Sequence, residues 1–178
     1  MKTNGIIRKV DGLGRVVIPR EYRKLHRISL GDPMEISCLE SGEIVLRKMD
    51  MTLSLEELSV GALRVLAENT EGTVLVSNLE KWLGGNGADK GMFIGKDLPG
   101  EVRSRISRRE DYSVFDVTEI KGLDVKPGRK LAMVAEPIAG DSDVFGALFV
   151  VRTDAVSEKD IALIKTAAVI LGNSLQKF

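Results

Sequence analysis

A chain of 178 residues, 43% apolar and 29% charged, carries enough hydrophobic material for one large globular domain or two small ones. Its 26 basic and 26 acidic residues cancel, and its one cysteine (Cys38) and one histidine (His26) exclude an internal disulfide and a cysteine metal cluster. The longest apolar candidate for a membrane span, Ile161 to Leu171, is interrupted by Lys165, and Met-Lys-Thr-Asn-Gly at the start lacks the apolar stretch of a secretory signal, so the expectation is a cytoplasmic protein with no membrane partner.

The first element predicted is a hairpin. Two β-type runs, Ile6 to Val10 and Arg15 to Ile18, flank Asp11-Gly12-Leu13-Gly14, where glycine supplies the positive φ of a tight reversal. Pro19 extends the residue before it and is pre-set for a first helical turn, so a two-turn helix is predicted over Arg20 to Arg27. Arg20, Arg23, Lys24 and Arg27 then recur at i, i+3, i+4 and i+7, four cations on one face. From Met1 to Arg27 eight cations (Lys2, Arg8, Lys9, Arg15 and those four) oppose only Asp11 and Glu21, a local +6 that the rest of the chain balances with −6. A neutral protein with one strongly basic end has the charge layout of a nucleic-acid binder.

The core Asp11-Gly12-Leu13-Gly14-Arg15-Val16-Val17-Ile18-Pro19, with Gly5, Arg8, Lys9, Val10, Glu21 and Arg23 around it, resembles the looped-hinge helix of the AbrB family of bacterial transition-state regulators. The resemblance spans residues 1–50 and implies a swapped-hairpin β-barrel, a DNA-binding dimer in which hairpins of two chains interlock. It places the family's DNA-contacting arginines on Arg8, Arg15 and Arg23. Where the family commonly has another arginine, Lys24 keeps the charge and loses the planar fork. The expected DNA-binding set is therefore Arg8, Lys9, Arg15, Arg20, Arg23, Lys24 and Arg27.

Next come a turn at Ser29 to Pro33, a half-buried strand over Met34, Ile36 and Cys38, a turn at Glu40 to Glu43, and a strand from Ile44 to Arg47. Four short strands and a small helix are marginal for burying a core alone, and the runs around Ile6-Ile7 and Val16-Val17-Ile18 are apolar on both faces. A second copy of the chain is the economical cover.

Residues 51–54 are predicted as a linker and 55–178 as a second domain. Ser54 and Glu57 form a capping-box signature for a helix whose apolar stripe is Leu55, Leu58, Ala62 and Val65. Thr73 to Ser77 reads as a buried strand, Gly84 to Gly87 as a flexible loop in preference to a phosphate cradle, and Pro99 to Ser107 as a helix. Tyr112 to Val117 suits a strand, and Leu131 to Ile138 with Phe145 to Arg152 bracket a hairpin loop. Ser157 and Asp160 cap a final helix with its stripe on Ile161, Ile164, Ala168, Leu171 and Leu175. A sheet framed by a leading and a trailing helix resembles the GAF domain, a small-molecule sensing module of bacterial regulators. The predicted class is thus α+β, an AbrB-like head and an α/β GAF-like tail.

Asp11 reads as a turn former in preference to a catalytic acid, Glu21 as a helix-start carboxylate or an arginine partner, and His26 and Cys38 as packed residues. Neither histidine nor cysteine lies in the tail, which excludes a haem on histidine or a bilin on cysteine there. Arg103, Arg105, Arg108 and Arg109 stand close to Glu101, Glu110 and Asp111, so surface ion pairs are expected over an anion site. No nucleophile, base and orienting residue form a recognisable set, and an enzyme is not expected. The resemblance of the head implies a homodimer with promoter DNA as partner, and resemblance to sporulation regulators implies a homotetramer through the tail helices and action at the forespore nucleoid, with no cofactor beyond an unidentified small ligand of the tail. The competing reading is an antitoxin of the same head family that neutralises a toxin. Whether the helix stripes pack only on the sheet or also form a four-helix bundle between copies stays open at this point.

Overall fold

An apolar stripe on a helix has to be laid on something, and in this chain a sheet of five strands receives two such helices on one face. The computed structural model describes residues 5–49, 51–114, 116, 117, 120, 121, 123 and 125–176, and the chain divides into two units, Met1–Met49 and Asp50–Phe178.

In the first unit, α1 (Arg20–Leu25) precedes a two-stranded antiparallel sheet of β1 (Met34–Cys38) and β2 (Ile44–Lys48), registered from Met34 opposite Lys48 to Cys38 opposite Ile44. The runs expected as a first hairpin are not strands. Residues 11–14 do turn, with Gly14 N–H donating to Asp11 C=O (3.0 Å) and Asp11 N–H to Arg15 C=O (3.0 Å). Beyond that closure the two arms do not pair with each other, because a lone ribbon apolar on both faces has nothing to lie against. Ile7 is 92% exposed and Val17 72%. The predicted half-burial of Ile36 and Cys38 also fails, and His26 and Cys38 are exposed where packing was expected. Among the described residues of this unit only Pro19 is buried.

The second unit opens with α2 (Met51–Asn69), so the expected linker 51–54 is helical and Ser54, expected as the cap, lies inside the first turn. Then follow β3 (Thr73–Ser77), β4 (Trp82–Asn86), a 3-10 turn at Lys90–Met92, α3 (Gly100–Ser107), β5 (Tyr112–Val114), β6 (Ala132–Ala139), β7 (Val144–Arg152) and α4 (Glu158–Leu175). Of the strand expected over Tyr112 to Val117, the part at Phe115 lies outside the described residues. The sheet order is β4-β3-β7-β6-β5, antiparallel throughout, with β6 and β7 forming the predicted hairpin.

Strand alternation splits the interior into two layers. On one face Val74, Val76, Val134, Leu148 and Val150 meet Leu55, Leu63 and Leu66 of α2 and Ile164, Ala168, Leu171 and Leu175 of α4. On the other, Leu75, Met133, Phe149 and Val151 meet Trp82, Phe93, Leu98, Val102 and Ile106, with Trp82 edge-on to Phe93 at 5.0 Å. The stripe predicted for α4 is buried apart from the half-buried Ile161, and Ser157 Oγ accepts from Asp160 N–H as its cap. On α2 the buried row is Leu55, Ser59, Leu63 and Leu66, so Leu58 and Val65 face out. The predicted glycine loop is largely β4, an edge strand whose Gly85 lies so close to Leu75 that a Cβ would sit 2.5 Å from its Cδ2. Gly87, at φ 127°, closes against Thr73 in the same way.

Candidate nucleic-acid interface

Pro19 starts α1 and a left-handed residue ends it. Ile28 N–H donates to Arg23 C=O (2.7 Å) and Arg27 N–H to Lys24 C=O (3.3 Å), the paired bonds of a Schellman closure. The residue that must adopt positive φ there is Arg27, at 52°. Glycine would do so without the steric penalty of a Cβ. Arg27 has therefore left the helix, and the predicted i+7 position does not exist. It still joins the others: Arg20, Arg23, Lys24 and Arg27 line one open cleft of about 370 Å³ together with Ile28 and Ser29.

A latch between residues far apart in the sequence holds this bend. Lys48 Nζ, at the end of β2, donates to Arg27 C=O (2.7 Å) and pairs with Asp32 Oδ2 (2.7 Å), which also accepts from Ser29 N–H (2.6 Å). The Lys48 ammonium, then the Ser29 amide, hold the Asp32 carboxyl below its ordinary value. The signal was present in the sequence as Asp32-Pro33 in a turn and Arg47-Lys48 at a strand end, but nothing local said that the two meet. On the other side of α1, Ile18, Tyr22, Ile28 and Leu46 line a second cleft of about 450 Å³ with Arg47 and Lys48 at its rim.

Arg8, Lys9 and Arg15 lie on the exposed arms. Arg15 alone of the predicted set is paired: its Nε donates to Asp11 Oδ2 (2.8 Å), while Asp11 Oδ1 accepts from Leu13 N–H and Arg15 N–H (both 2.9 Å). Those bonds, the Arg15 amide foremost, pull the Asp11 carboxyl below its usual range. Asp11 is thus the turn former expected. Among the described residues no carboxylate pairs with Arg8, Lys9, Arg20, Arg23, Lys24 or Arg27. Glu21 sits in the first turn of α1, where the dipole favours it.

The second basic cluster behaves as the ion-pair reading expects. Arg105 and Arg108 pair with Glu110 (3.6 and 3.9 Å), Arg103 donates to Leu98 C=O, and Arg109 to Asp141 C=O. Ser77 Oγ and Trp82 Nε1 are buried, lie on cross-strand neighbours and have no hydrogen-bond partner among the described residues. Among the described residues there is no cluster of three metal-ligating side chains and no helix long and apolar enough to cross a membrane.

Known proteins resemble the two units separately and together. The family model "Antidote-toxin recognition MazE, bacterial antitoxin" matches residues 7–53, and "Stage V sporulation protein T C-terminal, transcription factor" matches residues 54–176. Stage V sporulation protein T of Bacillus subtilis (strain 168) is 26% identical over 178 residues, covering 99% of this chain and 100% of that one. The transition state regulatory protein AbrB of the same organism is 50% identical over 48 residues, 27% of this chain and 49% of that one. Among solved structures, a GAF domain/HD domain protein from Geobacter sulfurreducens aligns at TM-score 0.51 and 18% identity over 73% of this chain and 100% of that one. A type II free methionine-R-sulfoxide reductase from Thermoplasma acidophilum aligns at TM-score 0.54 and 15% identity over 72% and 97%. At such identities the likeness is one of fold, and the tail has the GAF fold behind an AbrB/MazE-type head. Because the model that describes the tail covers residues 54–176 of 178, the chain belongs to the family of Stage V sporulation protein T C-terminal transcription factors.

Proposed function

We propose that this transcription regulator binds promoter DNA sequence-specifically through the head, using Arg8, Lys9, Arg15, Arg20, Arg23, Lys24 and Arg27. One observation carries the reading: four cations converge on one cleft of a small unit, and among the described residues no carboxylate is paired to any of them. Each like-charge neighbour on a helix costs a few tenths of a kcal/mol, on the order of 0.3, until a polyanion lies against it. Duplex phosphates supply that polyanion and release their counterions on binding. The 26% identity to a sporulation protein over the whole chain supports a role in forespore gene expression.

The head works as a homodimer in this reading, since twelve large apolar side chains of the unit are exposed in one chain, from Ile6 to Leu46. Interlocking the unpaired arms of two copies would cover them. The tail, divided as residues 55–178 from a head of residues 1–50, senses a small molecule or fixes the oligomer. Leu58 and Val65 of α2 with Val169 and Ile170 of α4 leave an outward apolar face that a second tail would cover, giving a homotetramer. A second reading, an antitoxin that neutralises a partner, draws on the MazE match at residues 7–53. The full two-layer core of the tail speaks for the regulator.

The test is binding of the full chain to promoter fragments with rising salt. Arg15→Ala is expected to abolish preference for the bound fragments, and Arg23→Ala to weaken binding to every duplex about equally, while the tail stays folded. Retained affinity at ordinary salt would move the interface elsewhere.

A further inference from the structure

Of the seven cations assigned to the interface, Arg15 differs in being tied to a carboxylate, and the tie is one-sided. Asp11 engages Nε of the guanidinium at 2.8 Å, and among the described residues no hydrogen bond or ion pair occupies Nη1 or Nη2. The Arg15 side chain is 71% exposed. The same aspartate fixes the backbone beneath: Oδ1 receives Leu13 N–H and Arg15 N–H, and the main chain closes Asp11 to Arg15 and Gly14 to Asp11. Gly14, at φ 77°, permits that closure. Backbone and guanidinium of Arg15 are therefore oriented by one anchor.

A phosphate grip has no use for such an arrangement. A carboxylate beside the duplex opposes the polyanion, and a point charge on a free stem serves as well. A bidentate contact to a base edge needs a planar fork held in one plane, with both outer nitrogens presented in parallel, and guanine O6 and N7 are the acceptors that match it. Resting on the reading that the head binds DNA, we infer that Asp11 is a positioning residue for base readout: it aligns Arg15 to read a guanine in the major groove, while Arg20, Arg23, Lys24 and Arg27 hold phosphates. The Arg15 amide and guanidinium hold the Asp11 carboxyl below its ordinary range, which favours the charged form of the anchor.

The experiment uses the full chain and two probes: duplexes that the wild-type protein enriches from a random-sequence library, and a mixed-sequence duplex that it does not enrich. Asp11→Asn retains Oδ1 for the two backbone amides and removes the charged acceptor of Nε. Affinity for the enriched duplexes is expected to fall about tenfold to a hundredfold for each head that engages the duplex, the worth of one bidentate pair, with one guanine per head no longer preferred. Affinity for the mixed duplex and the slope of log K against log salt should stay as they were, because no phosphate contact is lost. Arg15→Lys should cause the same relaxation, and Asp11→Asn added to it should cause no further loss, as required of a residue that acts through the other.

Undiminished preference in Asp11→Asn, an equal fall on both probes, or additive losses in the double variant would each overturn the inference and leave the DNA reading standing. If the wild-type chain enriches no sequence at all, the DNA reading fails and takes the inference with it.

Discussion

At the scale of single residues the head stores strain where its charges gather. Arg27 occupies the left-handed position of a helix closure, a conformation that disfavours a β-carbon by about 1 kcal/mol. Lys48, bonded to the Arg27 carbonyl and anchored by Asp32, over-determines it. Arg27→Gly is expected to stabilise the head by about 1 kcal/mol in denaturant unfolding and to weaken DNA binding, lowering the magnitude of the salt slope by about one per head that engages the duplex. Loss of stability instead would mean that the Arg27 side chain, and not its backbone, holds the bend. In the tail, Glu136 is 5% exposed on β6 and no hydrogen bond or ion pair reaches it among the described residues. Burial, then repulsion from Asp111, raises its carboxyl above the ordinary value, with Lys165 opposing. A carboxyl raised on folding binds its proton more tightly in the native state, so its contribution is retained at low pH and lost as pH rises through the native value. Glu136→Gln should remove that loss, raising the tail's unfolding midpoint at neutral pH relative to wild type and leaving it unchanged near pH 4. A lower midpoint at neutral pH would place an unseen donor on Glu136. None of this was legible beforehand, since nothing in the sequence around Arg27 says that the helix stops two residues short of it.

Elements were more readable than their details, and the misses share a cause. The cap and stripe of α4 are legible because Ser157 begins a run whose apolar positions face the same sheet. The α2 stripe slipped by one position because Leu58 and Val65 are as apolar as Leu63 and Leu66, and periodicity cannot say which of two adjacent rows meets the sheet. Gly84 to Gly87 read as a loop because glycine disfavours strands locally. There the decisive fact is non-local, the approach of β4 onto β3 that leaves no room for a Cβ at Gly85. Equally hidden was the tie between the ends of α2, β7 and α4. Arg152, 11% exposed, bonds Asp160 (2.8 Å), Asp154 (2.9 Å) and Glu71 (2.9 Å), and of these only Asp160 is buried. Removing one partner of a buried pair costs about 3 to 5 kcal/mol, and removing an exposed partner under about 1 kcal/mol. Arg152→Ala should therefore destabilise the tail severalfold more than Asp154→Ala or Glu71→Ala. Urea unfolding followed through Trp82, the chain's one tryptophan, measures this. Equal losses would show that the exposed carboxylates, and not Asp160, make the tie.

The whole molecule sets two units of opposite character in one chain. The tail buries both faces of its sheet within a single copy. The head buries Pro19 alone among its described residues and leaves Ile7, Val17, Ile36 and Ile44 each at least 70% exposed. Fully burying one such side chain contributes about 1.5 to 3 kcal/mol, so a cover for even a few of them exceeds what a unit of this size can supply from within. If that cover is the same unit of a second chain, folding and association of the head are one event. Its stability must then depend on concentration, while that of the tail core does not in the same way. A fragment of residues 1–49 should sediment as a dimer, and its unfolding midpoint should climb as the sample is concentrated. At fixed temperature a hundredfold increase in concentration should favour the folded dimer by about 2.7 kcal/mol, that is RT ln 100. The same fragment should bind duplex DNA with a log-log salt slope of about −7 if the eight cleft cations of two heads all engage phosphates, since each neutralised phosphate contributes about −0.9. A fragment that is folded and monomeric at every concentration would mean that the apolar arms need no partner. A dimer with a flat salt response would mean that two heads join for a purpose other than gripping a polyanion, and the antitoxin reading would then take precedence.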